Sequence, residues 1–235
     1  MVVQRGVVYD YQGRSPRNFG LLVLTGDLWN EGMIEVGAVP LTTPEEKGPS
    51  APVLMTSPRL RAWAGRLLMV EQQRLTAALF KLSDDNLALV EDALCQILSL
   101  ADLCSEAPGQ PQTPPGRIDY PRWSEIYYSK LRIGNDHKRY VVVSNDHWNK
   151  ATQAAIVVRT TTQPSRHAPG FPWIQGGRAK ACCGNAAAVP ANALQMRATA
   201  RPQPFSLPFR DMVAIAREIA VTHQLGDALS RIAHF

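Results

Sequence analysis

One ten-residue pattern occurs twice in this chain of 235 residues, and it constrains the architecture more than any other feature. The first copy reads LLVLTGDLWN over residues 21–30, and the second reads YVVVSNDHWN over residues 140–149. Each is an apolar run, a small hydroxyl residue and then x-Asp-x-Trp-Asn. Thr42-Thr43 and Thr161-Thr162 repeat at the same separation of 119 residues. A repeat of this length indicates a tandem duplication of a domain and not a solenoid.

The join between the two copies is predicted from composition. Residues 105–116 read SEAPGQPQTPPG, which has four prolines, two glycines and almost no apolar side chain. Such a segment cannot bury apolar surface and is typical of an extended linker. We therefore predict one domain over 1–104, a linker over 105–118 and a second domain over 119–235.

Charge divides at this linker. Residues 1–105 hold nine basic and twelve acidic residues, whereas residues 106–235 hold sixteen basic and eight acidic ones, so the net charges are −3 and +8. A duplicated fold whose copies differ this much has divided its roles, and a basic domain favours a polyanionic partner such as nucleic acid. A basic surface that serves solubility alone is the alternative.

Each half is predicted to be mainly β, closed by one C-terminal helix. Continuous apolar runs at residues 21–24 and 140–143 are typical of central strands. Ser83 can cap a helix over the apolar face that follows it, and Pro208 suits the first position of the second helix. We therefore expect two copies of a small, strongly bent sheet or barrel with a helix.

The remaining composition excludes several classes. The four cysteines lack the spacing of a zinc site, and Cys95, Cys182 and Cys183 are interpreted as small apolar filling residues, with a redox or metal role for the adjacent pair as the alternative. No run of about 18 apolar residues and no secretory h-region is present, so we expect a cytoplasmic protein without a membrane span.

Five segments resemble the sequence motifs of one known protein family. In the second half, residues 124–128, 139–146 and 159–163 resemble the family's first strand, its R-P-V-V-V-x-x-N-D strand and its next Thr-containing strand. In the first half, residues 68–75 resemble the family's L-L-E-Q-I-R-T segment, and residues 81–85 resemble the start of its last helix. The chain thus resembles the MazF/PemK/Kid toxins, and the resemblance implies two tandem SH3-like barrels that form an intramolecular pseudo-dimer.

The resemblance also implies an activity, metal-independent cleavage of single-stranded RNA without a cofactor. Family members use an Arg and a Thr, which correspond here to Arg139 and Thr161. A guanidinium holds two phosphoryl oxygens at once, and a hydroxyl adds a hydrogen bond to the same centre. The residues alone leave a solvated strand-edge charge and a packed β-branched side chain as alternatives.

Further candidates surround this pair. His137 lies in the loop before Arg139 and titrates near neutrality, so it is a candidate general base or acid, although most loop histidines are only solvated. RNA-binding candidates are Lys138, Arg166, His167, Trp173 and Arg178. Trp173 and its neighbour Phe171 could stack an unpaired base, or this Pro-flanked segment could be a packed turn.

The first half departs from the family pattern. Gly20 stands at the position of Arg139, with Arg17 three residues earlier, while Thr42 is retained. In the second half Pro190 removes a strand donor, so the strand that contains it should be an edge or should end there. We therefore expect a degenerate site in the acidic half and an active or RNA-binding site in the basic half.

Two functions from different classes follow. The first is a ribonuclease toxin that a small acidic antitoxin neutralises by occupying the RNA groove. The second is a non-catalytic module that binds nucleic acid or protein on a degenerate toxin fold, and fold alone does not decide between them.

Overall fold

A computed structural model describes residues 2–13, 18–46, 53–55, 58–104, 120–129, 139–162, 171–195 and 205–232 of the chain. The predicted linker at 105–118 lies outside these residues. Within them no helix is long and apolar enough to cross a membrane. The fold is mixed α/β with antiparallel sheets.

The two halves share the order of their first five elements, and each ends in two helices. The elements of the first half are β1 Val7–Tyr11, β2 Asn18–Val23, α1 Asp27–Gly32, β3 Glu35–Thr42, β4 Val53–Leu54, β5 Arg61–Ala62, β6 Leu68–Glu71, a 3₁₀ turn at Gln72–Arg74, β7 Leu75–Lys81, α2 Asp84–Ile97 and α3 Leu100–Cys104. Those of the second half are β8 Glu125–Ser129, β9 Arg139–Val142, α4 Asp146–Thr152, β10 Ala154–Thr161, β11 Trp173–Ile174, β12 Ala179–Pro190, a 3₁₀ turn at Ala191–Ala193, β13 Leu194–Gln195, β14 Phe205–Ser206, α5 Phe209–Thr222 and α6 Gly226–Ile232.

Each half forms one antiparallel sheet. The strand order is β4-β5-β3-β2-β1-β7 in the first half, with β6 also paired to β3, and β11-β12-β10-β9-β8-β13 in the second, with β14 also paired to β8. Strand register repeats as well, since Leu22 lies opposite Val39 and Val141 lies opposite Val158. The 119-residue separation seen in the sequence is therefore also the separation of equivalent strand positions.

The two faces of each sheet bury different cores. Alternate residues of β2 and β3, such as Leu22 and Val39, join one large cluster that includes Val141, Ile156 and the helices of both halves. The intervening residues form two smaller clusters, one in each half, around Leu21 and around Val142. Because successive strand side chains point to opposite faces, a continuous apolar run fills both cores at once.

The repeated motif forms a short helix in both copies. The expectation of a single terminal helix in each half was wrong, because α1 and α4 follow the motif's strand and α3 and α6 follow the long helices. The hydroxyl of Thr25 donates to the Asn30 side chain, and that of Ser144 donates to Asn149. Both hydroxyls also accept a backbone N–H from the next strand. The motif's hydroxyl and Asn are therefore a buried polar network that turns the chain from strand to helix.

The motif's Asp fixes the segment that precedes the first strand of its half. Asp27 accepts the N–H of Arg5, and Asp146 accepts the N–H of Trp123, each at 2.7 Å. These contacts repeat at nearly the same separation. The repeated position of the motif's Asp therefore has a structural explanation, the fixing of the preceding segment.

The long helices begin close to their predicted positions. The Ser83 hydroxyl accepts the N–H of Asn86, which confirms the predicted cap of α2. Pro208 is the N-cap residue of α5, whose first helical residue is Phe209, so that helix begins one residue later than predicted. Strand β12 ends at Pro190, as the missing N–H of proline predicts.

The two halves contact each other through reciprocal glycine and tryptophan pairs. The Trp29 indole covers Gly184, and the Trp148 indole covers Gly65. A Cβ on Gly184 would lie 1.9 Å from Trp29 Cζ2, and a Cβ on Gly65 would lie 2.7 Å from Trp148 Cζ2. All four positions obey the 119-residue separation. Each tryptophan of the repeated motif thus packs against the other half of the chain.

Backbone hydrogen bonds between the halves are reciprocal too. Gly26 donates to the carbonyl of Thr222 at the end of α5 (2.8 Å), and Asn145 donates to that of Ile97 at the end of α2 (2.9 Å). The start of each motif helix therefore satisfies a carbonyl at the end of the other half's long helix. The backbone contacts between the halves, like the side-chain contacts, are therefore reciprocal.

Candidate nucleic-acid interface

The predicted catalytic pair lies on neighbouring strands but not side by side. Arg139 opens β9 and Thr161 closes β10, where the residue directly opposite Arg139 is Thr160. The Thr160 hydroxyl donates to the carbonyl of Arg139 (3.4 Å). Since side chains alternate along a strand, this register puts Arg139 on the face of Thr160 and Thr161 on the other.

The other predicted residues divide into two groups. His137, Lys138, Arg166 and His167 lie outside the described residues. Trp173 and Arg178 are exposed, at the start of β11 and in the turn between β11 and β12, and 56% of the Trp173 surface is accessible. An exposed indole of this extent offers a flat face to a ligand.

A polar row crosses the sheet beside Thr161. In the β10–β12 ladder Lys180 lies directly opposite Thr161, and in the β11–β12 ladder it lies directly opposite Trp173. Directly opposed residues share a face of an antiparallel sheet. The Lys180 ammonium lies 4.6 Å from the centroid of the Trp173 ring. Thr161, Lys180 and Trp173 are therefore a hydroxyl, a cation and an exposed aromatic ring in one line.

Arg159 extends this row toward the sheet centre. It lies two residues before Thr161 on β10 and so on the same face, and it is exposed. Burial disfavours the thiolate of Cys182 on the neighbouring strand and raises the pKa of that thiol to about 11. The positive charge of Arg159 acts in the opposite direction and is the smaller effect. We name Arg159, Thr161, Lys180 and Trp173 the second-half row.

Two members of the second-half row were not among the predicted site residues. Arg159 opens the Thr-containing segment 159–163, but the resemblance assigned a role there to Thr161 alone, and Lys180 lies in a strand segment without a motif. The repeat does hold a signal for Lys180, because Arg61 stands 119 residues earlier and both positions are basic. Register, which the sequence did not reveal, is what joins these side chains.

The equivalent row in the first half is used internally. Thr42 lies opposite Arg61, and Leu54 takes the place of Trp173. The Trp63 indole N–H donates to the hydroxyl of buried Thr42 (2.9 Å), and the Arg61 guanidinium donates to the carbonyl of Glu46 (2.8 Å). Cys182 replaces Trp63 in the second half, where Thr161 is half-buried. The two rows therefore differ in the residue that neighbours the threonine and in the burial of that threonine.

Phe171 has a different partner from the one suggested for it. Its ring stacks on Trp29 of the first half, with 6.4 Å between centroids and 19° between planes. The side chain therefore contributes to the contact between the halves, and Trp173 remains the exposed aromatic ring of this segment.

Buried cysteine thiols do not provide a nucleophile here. Burial raises the pKa of Cys95 to about 12 and raises that of Cys183 as well. Reactive cysteines need a stabilised thiolate, so these side chains act as packing, as predicted. Among the described residues no group of three or more His, Cys, Asp or Glu side chains is placed to hold a metal ion.

A buried carboxylate at the start of β8 gives a pH-dependent prediction. Glu125 accepts the hydroxyl of Tyr127 (2.6 Å) and the N–H of Arg122 (2.9 Å), yet burial raises the pKa of the Glu125 carboxyl from its usual range. A raised folded pKa favours folding below the unfolded pKa, and that contribution is lost as pH rises through the folded value.

We therefore expect Glu125→Gln to unfold at a higher urea concentration than the wild type at pH 7.5, and the difference to shrink toward pH 4. The amide oxygen can still accept both hydrogen bonds, while the buried charge is removed. Urea unfolding of both proteins across this pH range measures the difference. A gap that widens as pH falls would contradict the assignment.

Comparisons with known proteins give partial matches to solved structures. No protein-family model and no curated protein matches the chain. Among solved structures, an endoribonuclease in complex with its cognate antitoxin, from a Mycobacterial species, is 22% identical, with a TM-score of 0.37 over 42% of this chain and 96% of that one. An endoribonuclease from a Mycobacterial species is 20% identical, with a TM-score of 0.34 over 40% and 89%.

Proposed function

We propose that this chain is a toxin-like endoribonuclease that cleaves single-stranded RNA without a metal ion. The observation that carries the proposal is the second-half row, in which two cations, a hydroxyl and an exposed indole share one face of the sheet. The basic charge of this half and the family resemblance of its strands support it. A small acidic antitoxin is the proposed protein partner.

The row suits attack by the RNA 2′-hydroxyl on the adjacent phosphate. That attack forms the 2′-oxygen to phosphorus bond, breaks the bond to the 5′-oxygen, and moves the proton of the 2′-hydroxyl to the departing 5′-oxygen. Negative charge builds on the non-bridging oxygens, where Arg159 and Lys180 supply cations and Thr161 supplies a hydrogen bond. Trp173 stacks a neighbouring base. The proton carrier we assign is His137.

Arg139 takes a different position in this proposal from Thr161. Its side chain belongs to the opposite face at the observed register, so we assign it to the RNA path along the strand ends rather than to the same phosphoryl oxygens. The two residues then make separable contributions, and their variants should differ.

We further propose that each half is an SH3-like barrel and that the pair imitates a homodimer within one chain. The reciprocal tryptophan and glycine contacts support this arrangement, because such contacts are those of a two-fold interface. In the first half, Thr42 and Arg61 of the equivalent row form hydrogen bonds within that half, so we assign the first half a scaffold role.

Cleavage of a long single-stranded RNA in EDTA tests the activity. We expect discrete products with 2′,3′-cyclic phosphate and 5′-hydroxyl ends, and a rate reduced by about 10²–10³ in Thr161→Val, the scale of losing one transition-state donor. Arg139→Ala is the comparison, and it should act more on KM than on kcat. Thr43→Val, at an exposed first-half threonine outside the equivalent row, is the control and should keep full activity.

A second candidate is RNA binding without cleavage. The observation that favours it is the register that separates Arg139 from Thr161. Salt-sensitive RNA binding by a protein that gives no products in EDTA would support this candidate and exclude the endoribonuclease. Cleavage that Thr161→Val leaves unchanged would place the active site elsewhere.

A further inference from the structure

The two halves contact each other in one region around Trp29 and in another around Trp148, which are equivalent positions of the repeat. The side chains that surround the two tryptophans differ. Around Trp29, the Asn185 amide donates to the Glu35 carboxylate of the other half (2.9 Å) and bridges the two halves. Around Trp148, Arg66 stands at the position of Asn185 and Ala154 at that of Glu35. The bridge present on one side therefore has no counterpart on the other.

Small side chains also replace large ones on the Trp148 side. In the β3–β6 ladder Glu35 lies opposite Glu71, whereas in the β10–β12 ladder Ala154 lies opposite Pro190. Ala188 likewise stands where the first half has Met69. An open cavity of about 280 Å³ lies here, and its lining includes Gly65, Arg66, Trp148, Ala154, Ala188 and Pro190.

The cavity has the chemistry of a site for a planar anion. Trp148 is its aromatic wall, and the aliphatic groups of Ala188, Val189 and Pro190 make the remaining lining largely apolar. Arg66 lies over the Trp63 ring (4.1 Å from its centroid), and no carboxylate of the described residues forms an ion pair with it. A cation without an anionic partner beside an apolar cavity favours a ligand with a flat body and a negative group.

We infer that this cavity binds a nucleotide, with the base against Trp148 and the phosphate at Arg66. The cavity volume lies just below the range of drug-sized sites, about 300–1,000 Å³, which suits a ligand no larger than one nucleotide. The site is distinct from the second-half row, because Ala154 and Thr161 are the two ends of β10, roughly 23 Å apart at about 3.3 Å per residue. The inference relies on the proposed function only for the source of the nucleotide, which is a free mononucleotide or one nucleotide of the RNA.

Titration calorimetry of the full chain with AMP, GMP, CMP and UMP, in separate experiments, tests the site. We expect at least one to bind, Arg66→Gln to weaken it about tenfold through the lost charged hydrogen bonds, and Ala154→Glu to abolish it. The Ala154→Glu variant restores the residue of the equivalent position, whose carboxylate then faces Arg66. Arg61→Gln removes a first-half arginine away from the cavity and should leave binding unchanged.

The same binding measurements distinguish RNA from a free nucleotide as the ligand, and they include results that would contradict the inference. An RNA tetranucleotide that binds more tightly than the best mononucleotide, and loses that gain in Arg66→Gln, identifies the RNA as the source, whereas equal affinities identify a free nucleotide. Absence of binding by all four mononucleotides, or binding that neither cavity variant alters, would overturn the inference. The inference would also be overturned if an acidic Trp-containing peptide bound to the cavity and the mononucleotides did not. Because binding is read without cleavage, these results are independent of the EDTA assay.

Discussion

Gly184→Ala is expected to destabilise the chain by about 1–3 kcal/mol, the cost of forcing an extra methyl group into a packed core. Its Cβ would fall 1.9 Å from Cζ2 of the Trp29 indole, and the next two ring atoms lie within 2.4 Å. Trp29 is buried and its other contacts include Phe171, so the indole cannot move without disturbing the contact between the halves. Urea unfolding followed by tryptophan fluorescence measures the loss.

The control for this substitution is Gly32→Ala. Gly32 ends α1, and a Cβ there would meet no atom within 4 Å, so alanine should leave the chain equally stable or more stable by up to about 1 kcal/mol. Gly65→Ala should cost less than Gly184→Ala, because its nearest contact is 2.7 Å. Equal midpoints for Gly184→Ala and Gly32→Ala would show that the halves do not pack through this pair.

A second variant tests whether the Trp29 indole causes the destabilisation by Gly184→Ala. Trp29→Phe removes the ring atoms that approach Gly184, so it should recover part of the stability lost in Gly184→Ala although it is destabilising alone. Such a non-additive result is the signature of residues in direct contact. Additive losses would place the cause of the destabilisation elsewhere.

Lys180→Ala is expected to weaken binding of single-stranded RNA and to reduce its salt dependence. Each phosphate contact contributes about 0.7 to the slope of log K against log salt for a single strand, so the slope should fall by about that amount. Arg159→Ala should have a similar effect, because both cations lie on the same face. Trp173→Ala should cost about 1–3 kcal/mol of affinity through lost stacking, with the slope unchanged.

Arg61→Ala is the matched control for the charge. Arg61 occupies the position equivalent to Lys180, carries the same charge and donates to the carbonyl of Glu46 within its own half. Fluorescence anisotropy of a labelled RNA from 50 to 300 mM salt compares the variants. Equal slopes for Lys180→Ala and Arg61→Ala would mean that RNA does not follow the second-half row.

The sequence predicted the parts of the fold that depend on local pattern. The apolar runs gave the central strands, Ser83 gave the start of α2, and Pro190 gave the end of β12. Short elements were missed, because α1 and α4 are held by the hydrogen bonds of Asn30 and Asn149 and not by helical periodicity. Each of these amides also donates to a carbonyl more than 25 residues earlier in the chain, that of Val3 or that of Pro121. The apolar content of the two short helices is too small to show a helical face.

The candidate site was likewise predicted from the sequence only in part. Thr161 and Trp173 were predicted, and the structure adds Lys180 and Arg159 to them. Separation of Arg139 from Thr161 could not be foreseen, since a shift of one residue in register exchanges the two faces of a strand. The predicted residues His137, Lys138, Arg166 and His167 lie outside the described residues and stay predictions.

By itself the sequence determined that one motif recurs at a fixed spacing, because both are properties of the chain alone. It also determined that the second half is basic, because charge is a sum over residues. Only the tertiary structure decided that each motif tryptophan covers a glycine of the other half, and that one equivalent region is bridged while the other holds a cavity. Those properties depend on which side chains meet across an interface, and that is set by packing between segments distant in sequence.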